Sequence, residues 1–250
     1  MRGAEDESVN SGRHGTFRTT QWTLILQAAR PDSPAGKEAF GRLYSDYWPP
    51  LYSYVRRRGF SPEEAEDITQ GFFTRLLERQ ALADLQRDGG RFRSFLLTAL
   101  ANFLSNEWDR MNAQKRGSGQ KPVPLELCDG ENRFAALQVP DCVTPETIFE
   151  KQWVFTLLEH AMARLREECI KTGKGELFAD LRIYLQGDRQ GPSYSETAIR
   201  HSMSETAIKV TVHRMRQRYG QLLREEIART LNDPNDVDAE LHHLMNVLGR

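Results

Sequence analysis

Near the C-terminal end of this 250-residue chain, Lys209, Arg214, Arg216 and Arg218 cluster around Thr211 and His213. Cationic side chains neutralise phosphates, and threonine or histidine can reach base edges. This set is therefore suited to nucleic-acid contact rather than to breaking bonds. Arg200–Arg218 carries five Lys/Arg against one acid, and Arg91–Arg116 carries five against two. The whole chain has a net charge of only −1, so the cations are segregated rather than abundant, which is what phosphate contact requires.

Such residues need a rigid frame. The spacing predicts one helix over about 195–201 and a second over about 204–224, joined by the turn His201-Ser202-Met203. Ser204 stands at the N-cap of the second helix, and Ala207, Ile208 and Met215 are expected to point inward. Ala198 is small where the two helices must approach, and Met203 is an apolar turn residue. Together these features describe a helix-turn-helix with its second helix free to enter a major groove.

Catalytic chemistry finds no foothold. No Gly-rich loop leads to Lys-Ser/Thr, and the neighbouring His242 and His243 lack the i, i+4 spacing of a zinc helix. Cys128, Cys142 and Cys169 are odd in number with no metal-like spacing, which fits free thiols in a reducing compartment. No catalytic residue, metal site or cofactor is expected. No apolar run approaches the roughly 18 residues of a membrane span, and residues 1–20 show no secretion signal, so a cytoplasmic location is expected.

The rest of the chain is predicted to be all-α. Residues 1–20 read as a disordered arm. Phe40, Leu43, Tyr44, Tyr47, Leu51, Tyr54 and Val55 recur three and four apart, a helix face that Pro49-Pro50 should kink or split. Ser61, Pro62 and Glu64 form the clearest helix start, a capping box, with Ala65, Ile68, Phe72 and Leu76 inward to about Gln80. From Arg91 to about Lys115 the stripe is Phe92, Phe95, Leu96, Ala99, Phe103 and Leu104, whose aromatics are assigned to the core. The expected units are 21–116, a linker at 117–145, a second unit at 146–231 and a C-terminal helical extension at 232–250. In that extension Leu241, Leu244, Met245 and Leu248 should share a face.

Read end to end, the chain resembles the sigma-70 family of RNA polymerase sigma factors, of the extracytoplasmic-function type, which keeps only the second and fourth sigma regions. Phe40–Tyr47 with Leu51–Arg57 is similar to the family's opening helix. Ala65-Glu66-Asp67-Ile68-Thr69-Gln70-Gly71-Phe72-Phe73 resembles its polymerase-clamp helix, and Phe92–Leu97 with Ala101-Asn102-Phe103 its promoter-melting helix. Tyr194–Arg218 resembles the fourth-region helix-turn-helix.

The resemblance implies a non-enzymatic factor that binds core RNA polymerase at its clamp and flap. It would read the −35 element with the helix-turn-helix and melt the −10 element with the first unit. Glu63, Glu66, Asp67 and Gln70 would face the clamp. Asn102, Trp108, Arg110, Lys115 and Arg116 would contact promoter DNA, together with Ser204 and the cluster from Lys209 to Arg218. Thr69 is polar where relatives commonly carry an apolar residue, which marks it as a phosphorylation candidate. An anti-sigma factor or a Ser/Thr kinase are further partners this reading admits. Two departures stand out: Gln70-Gly71 where the family often has Gln-Glu, and His201-Ser202 where it usually has Leu-Gly. The alternative is a polymerase-independent helix-turn-helix regulator of DNA.

Overall fold

The structure is a computed structural model that describes residues 24–78 (apart from 26 and 31), 82, 92–114, 130–137, 143–185, 192–231 and 233–249; for 107–114 it describes the helical backbone only. Its described regular elements are all helical: α1 Pro34–Arg57, α2 Pro62–Glu78, α3 Phe92–Gln114, α4 Gly130–Ala136, α5 Pro145–Lys171, α6 Gly175–Leu185, α7 Tyr194–Arg200, α8 Glu205–Ala228, a 3-10 turn at Pro234–Asp236, and α9 Val237–Leu248. The expected arm at 1–20 lies outside the described residues, as do Cys128 and Cys142, while Cys169 is a free, buried thiol.

Local chemistry explains where these helices begin. Ser33 Oγ accepts from the Gly36 N–H at 2.9 Å, and Pro34 supplies a preset φ in the first turn of α1. Glu64 Oε2 accepts from the Ser61 N–H at 2.9 Å while Ser61 Oγ accepts from the Glu64 N–H at 3.3 Å, the reciprocal box expected from sequence. Those bonds hold the Glu64 carboxyl below its ordinary value. Thr144 caps α5 ahead of Pro145, its hydroxyl oxygen accepting from the Thr147 N–H at 3.3 Å.

Pro49-Pro50 does not split α1, which stays helical through both. Both prolines are buried between Trp48 and Leu51, which are 2% and 0% exposed. Burial of that apolar length outweighs the two backbone donors that proline removes.

The apolar core falls into two clusters that share α5. In the first, α1, α2 and α3 pack with the N-terminal half of α5, through Phe149, Trp153, Val154 and Leu157, and with Ile227 and Leu244. Trp153 stacks on Tyr47 with ring centroids 4.6 Å apart and planes 11° from parallel. The second cluster joins the C-terminal half of α5, from Ala161 to Cys169, to α6, α7 and α8. A polar network reinforces this seam: Arg164 donates to Glu226 at 2.8 Å and to Glu225 at 2.5 Å, and Arg229 donates to Glu226 at 2.7 Å.

The 117–145 stretch, read as a linker without sustained period, contains α4. That helix docks on α1: Arg56 donates two bonds to Glu131 at 2.9 and 3.0 Å, Tyr52 donates its hydroxyl to the same carboxylate, and Arg56 lies 5.1 Å from the Phe134 ring centre. In α9 the inward face also differs from expectation. Glu240, Leu244 and Val247 are buried, whereas Met245 is 63% and Leu248 39% exposed.

His160 of α5 pairs with Asp46 of α1 at 3.2 Å. The hydrogen bond to Asp46 raises the histidine above its ordinary value against the opposing effect of burial, and Glu226 and Glu159 add in the same direction. A raised folded-state value means that the pair's stabilisation is complete below the unfolded value near 6.5 and is lost as pH rises through the folded one. Thermal melts between pH 6 and 8 should therefore show a falling midpoint that His160→Gln flattens. An unchanged slope in that variant would remove His160 as the cause.

Candidate nucleic-acid interface

Helices α7 and α8 meet at the expected turn, and its backbone is a left-handed helix stop. The Met203 N–H donates to the Ala198 carbonyl at 2.9 Å and the Ser202 N–H to the Ile199 carbonyl at 3.2 Å. This pair of bonds is the Schellman arrangement, which needs a left-handed residue between them. Ser202 occupies that place at φ 51°, the single non-glycine residue with positive φ among the described residues. Serine takes on strain there that glycine does not, so Ser202→Gly should raise stability by about 1 kcal/mol, read as a higher urea midpoint at constant slope.

The start of α7, Tyr194, lies one residue earlier than expected from Ser195. Ser193 is the N-cap, in a full capping box with Glu196. Ala198 is 4% exposed and packs in the second core cluster with Met203 against it, as a close helix approach requires. The end of α7 is pinned to α6, where Asp180 accepts from His201 at 2.8 Å and pairs with Arg200 at 3.0 Å. The His201 bond, then the Arg200 bond, holds Asp180 below its ordinary value.

In α8, Ile208, Val212 and Met215 are buried, so the opposite face is open. Lys209, His213 and Arg214 are exposed on it. Lys209 pairs with Glu205 at 2.6 Å and lies 5.7 Å from the Tyr194 ring centre. Ser204 serves as the N-cap, accepting from the Ala207 N–H at 3.1 Å.

Three other candidates are placed differently. Thr211 is half-buried and donates its hydroxyl to the Ala207 carbonyl at 2.8 Å, turning back onto its own helix. Arg216 donates to the Tyr184 carbonyl at 2.7 Å and so ties α8 to α6. Arg218 grips Glu168 through two bonds at 2.6 and 2.8 Å and adds Glu225 at 3.4 Å. Glu168 is correspondingly held below its ordinary value, and the bond to Glu168 raises Arg218 above its own. Arg218 thus belongs to the α5–α8 seam. Thr206, Val210 and Gln217 share the open face and were missed; their three- and four-residue spacing from Lys209 to His213 was the available signal.

Glu63 and Asp67 are exposed and Glu66 and Gln70 half-buried, all on one side of α2. Burial, then the neighbouring Asp67, Glu131 and Glu63, raises the Glu66 carboxyl above its ordinary value. Thr69 is 0% exposed and donates to the Ala65 carbonyl at 2.7 Å, so no kinase can reach its hydroxyl in this fold. That removes it as a phosphorylation site.

Asn102 is exposed on α3 beside a cleft of about 200 Å³. Arg75, Phe95, Asn102, Phe103 and Asn106 line it. Phe103 is buried as the core assignment required, whereas Phe95 is half-buried with an edge on the cleft. Arg75 lies 5.6 Å from the Phe103 ring centre. Trp108 and Arg110 fall within helix α3, and Lys115 and Arg116 lie outside the described residues.

Among the described residues no cluster of metal-ligating side chains occurs, and no helix is long and apolar enough to cross a membrane. No curated protein and no solved structure was found to match the chain. Residues 43–113, from the middle of α1 to the end of α3, match the family model for sigma-70 region 2. That match shows a likeness to sigma-70 region 2 over this stretch of the chain.

Proposed function

We propose that the chain is a sigma factor of the extracytoplasmic-function type that binds core RNA polymerase and directs initiation at particular promoters from the cytoplasm. The observation that supports this reading is the coexistence, in one chain, of the sigma-70 region 2 match and two helices, α7 and α8, joined by a tight turn, the second of which leaves Lys209, His213 and Arg214 exposed. The acidic side of α2 would meet a basic clamp helix through Glu63, Glu66, Asp67 and Gln70. The Asn102 cleft combines amide donors and acceptors with aromatic edges, a chemistry suited to an unpaired base of the −10 element. Thr206, Lys209, Val210, His213, Arg214 and Gln217 would read the −35 element, with Val210 fitted to a thymine methyl. A groove of about 600 Å³ between α5, α6 and α8, with Phe155 at its edge, would take the polymerase flap.

The test is capture of core RNA polymerase followed by run-off transcription on genomic fragments. Binding and discrete start sites are the expected result. DNA binding without polymerase binding would establish a stand-alone regulator instead. In the polymerase-bound complex, Lys209→Ala and Arg214→Ala should each reduce the salt dependence of promoter binding by about one counterion. Unchanged slopes in both would take α8 off the DNA.

A further inference from the structure

The C-terminal helix α9 joins parts of the molecule that are far apart in sequence. Glu240 forms an ion pair with Arg93 of α3 and Asp238 one with Arg224 of α8 at 3.4 Å, while His243 Nε2 lies 3.2 Å from a carboxylate oxygen of Glu150 in α5. Leu244 and Val247 are buried beneath them. The Arg93–Glu240 pair differs from the others: its side chains are 5% and 0% exposed. A charge taken that far from water is tolerable only while its partner is present. The contact is therefore close to all-or-nothing, unlike an apolar contact that weakens gradually.

The joint that α9 closes is also incompletely satisfied. Arg93 Nη2 and Trp153 Nε1 are buried without a hydrogen-bond partner, and both residues line one narrow gap with Tyr47, Phe92 and Thr230. Buried donors of this kind regain hydrogen bonds to water when a joint opens, which offsets part of the apolar area lost. From these observations we infer that α9 is an intramolecular clasp. Through Glu240 on Arg93 it holds α5, and the α6–α8 unit built on α5, against α1 and α3.

The functional side of the clasp rests on the sigma-factor reading. In the closed form the Asn102 cleft and the open face of α8 have one fixed separation, set by the fold and not by a promoter. Engaging polymerase and both promoter elements then means working against the clasp, which lowers apparent affinity by the fraction of molecules that are open. Glu240 thereby becomes a regulatory residue although it touches neither partner.

Hydrogen exchange on the full chain tests the clasp without polymerase. Glu240→Ala, which strands Arg93, should speed exchange at least about tenfold in α9 and together with it in the N-terminal half of α5, leaving α7 and α8 protected. The double variant Arg93→Met with Glu240→Leu, which removes both charges, should restore slow exchange. Acceleration confined to α9 would overturn the clasp, and so would global loss of protection in both variants, which would make the pair part of a single indivisible core. In run-off transcription, Glu240→Ala should raise initiation several-fold and the double variant should lower it. If exchange behaves as expected and no variant initiates, the clasp stands and the sigma-factor reading fails.

Discussion

Replacing Trp153 with alanine is expected to cost about 3–5 kcal/mol of folding stability. The side chain is 1% exposed, lies flat on Tyr47 and sits where α5 meets α1. Truncation removes a large apolar surface and leaves a void bordered by Tyr47 and Phe92, aromatics that cannot collapse far. Trp153→Phe should cost far less, about 1–2 kcal/mol, because it keeps an aromatic face and deletes the indole donor that has no acceptor. Urea titrations followed by far-ultraviolet circular dichroism separate the two. Equal losses in both variants would show that the indole itself, and not the apolar bulk that phenylalanine retains, governs the site.

The second large effect concerns partner binding. Reversing charge with Glu66→Arg and Asp67→Arg should weaken association with core polymerase by at least about 100-fold, since like charges facing each other across an interface cost several kcal/mol. Asp67 is exposed and Glu66 half-buried on the outer side of α2, so the thermal midpoint should move little. The loss should shrink in high salt, because screening weakens the introduced repulsion. Retained binding at physiological salt would remove this face from the interface and, with it, the placement of the clamp on α2.

Much of the fold was legible because it is written locally. The box at Ser61–Glu64, the cap at Thr144, the prolines after them and the three-and-four spacing in α1, α2 and α3 are readable within a few residues. Ser202 illustrates the same point, since its left-handed backbone follows from its place between Ala198 and Met203. What resisted reading depends on distant partners. Helix α4 makes sense only once Glu131 meets Arg56, 75 residues away, and Arg218 looks free until Glu168, 50 residues away, is placed beside it. Thr69 looked modifiable because a threonine's burial is invisible until Ala65 and the surrounding core are assembled. In α9 the apolar residues outnumber the buried positions, so periodicity left open which of them face in, and a carboxylate took one of the inward places.

Helix α5 is gripped differently at its two ends, by stacked rings near Trp153 and by the Arg164 and Arg218 carboxylate pairs beyond Ala161. Removing ions from water becomes less costly as temperature climbs, whereas the gain per unit of hidden hydrocarbon levels off. Warming therefore shifts the balance along this one rod, loosening its aromatic end while the charged end keeps its hold. An organism living at a higher temperature could retune the molecule by changing one end of α5 and leaving the other alone.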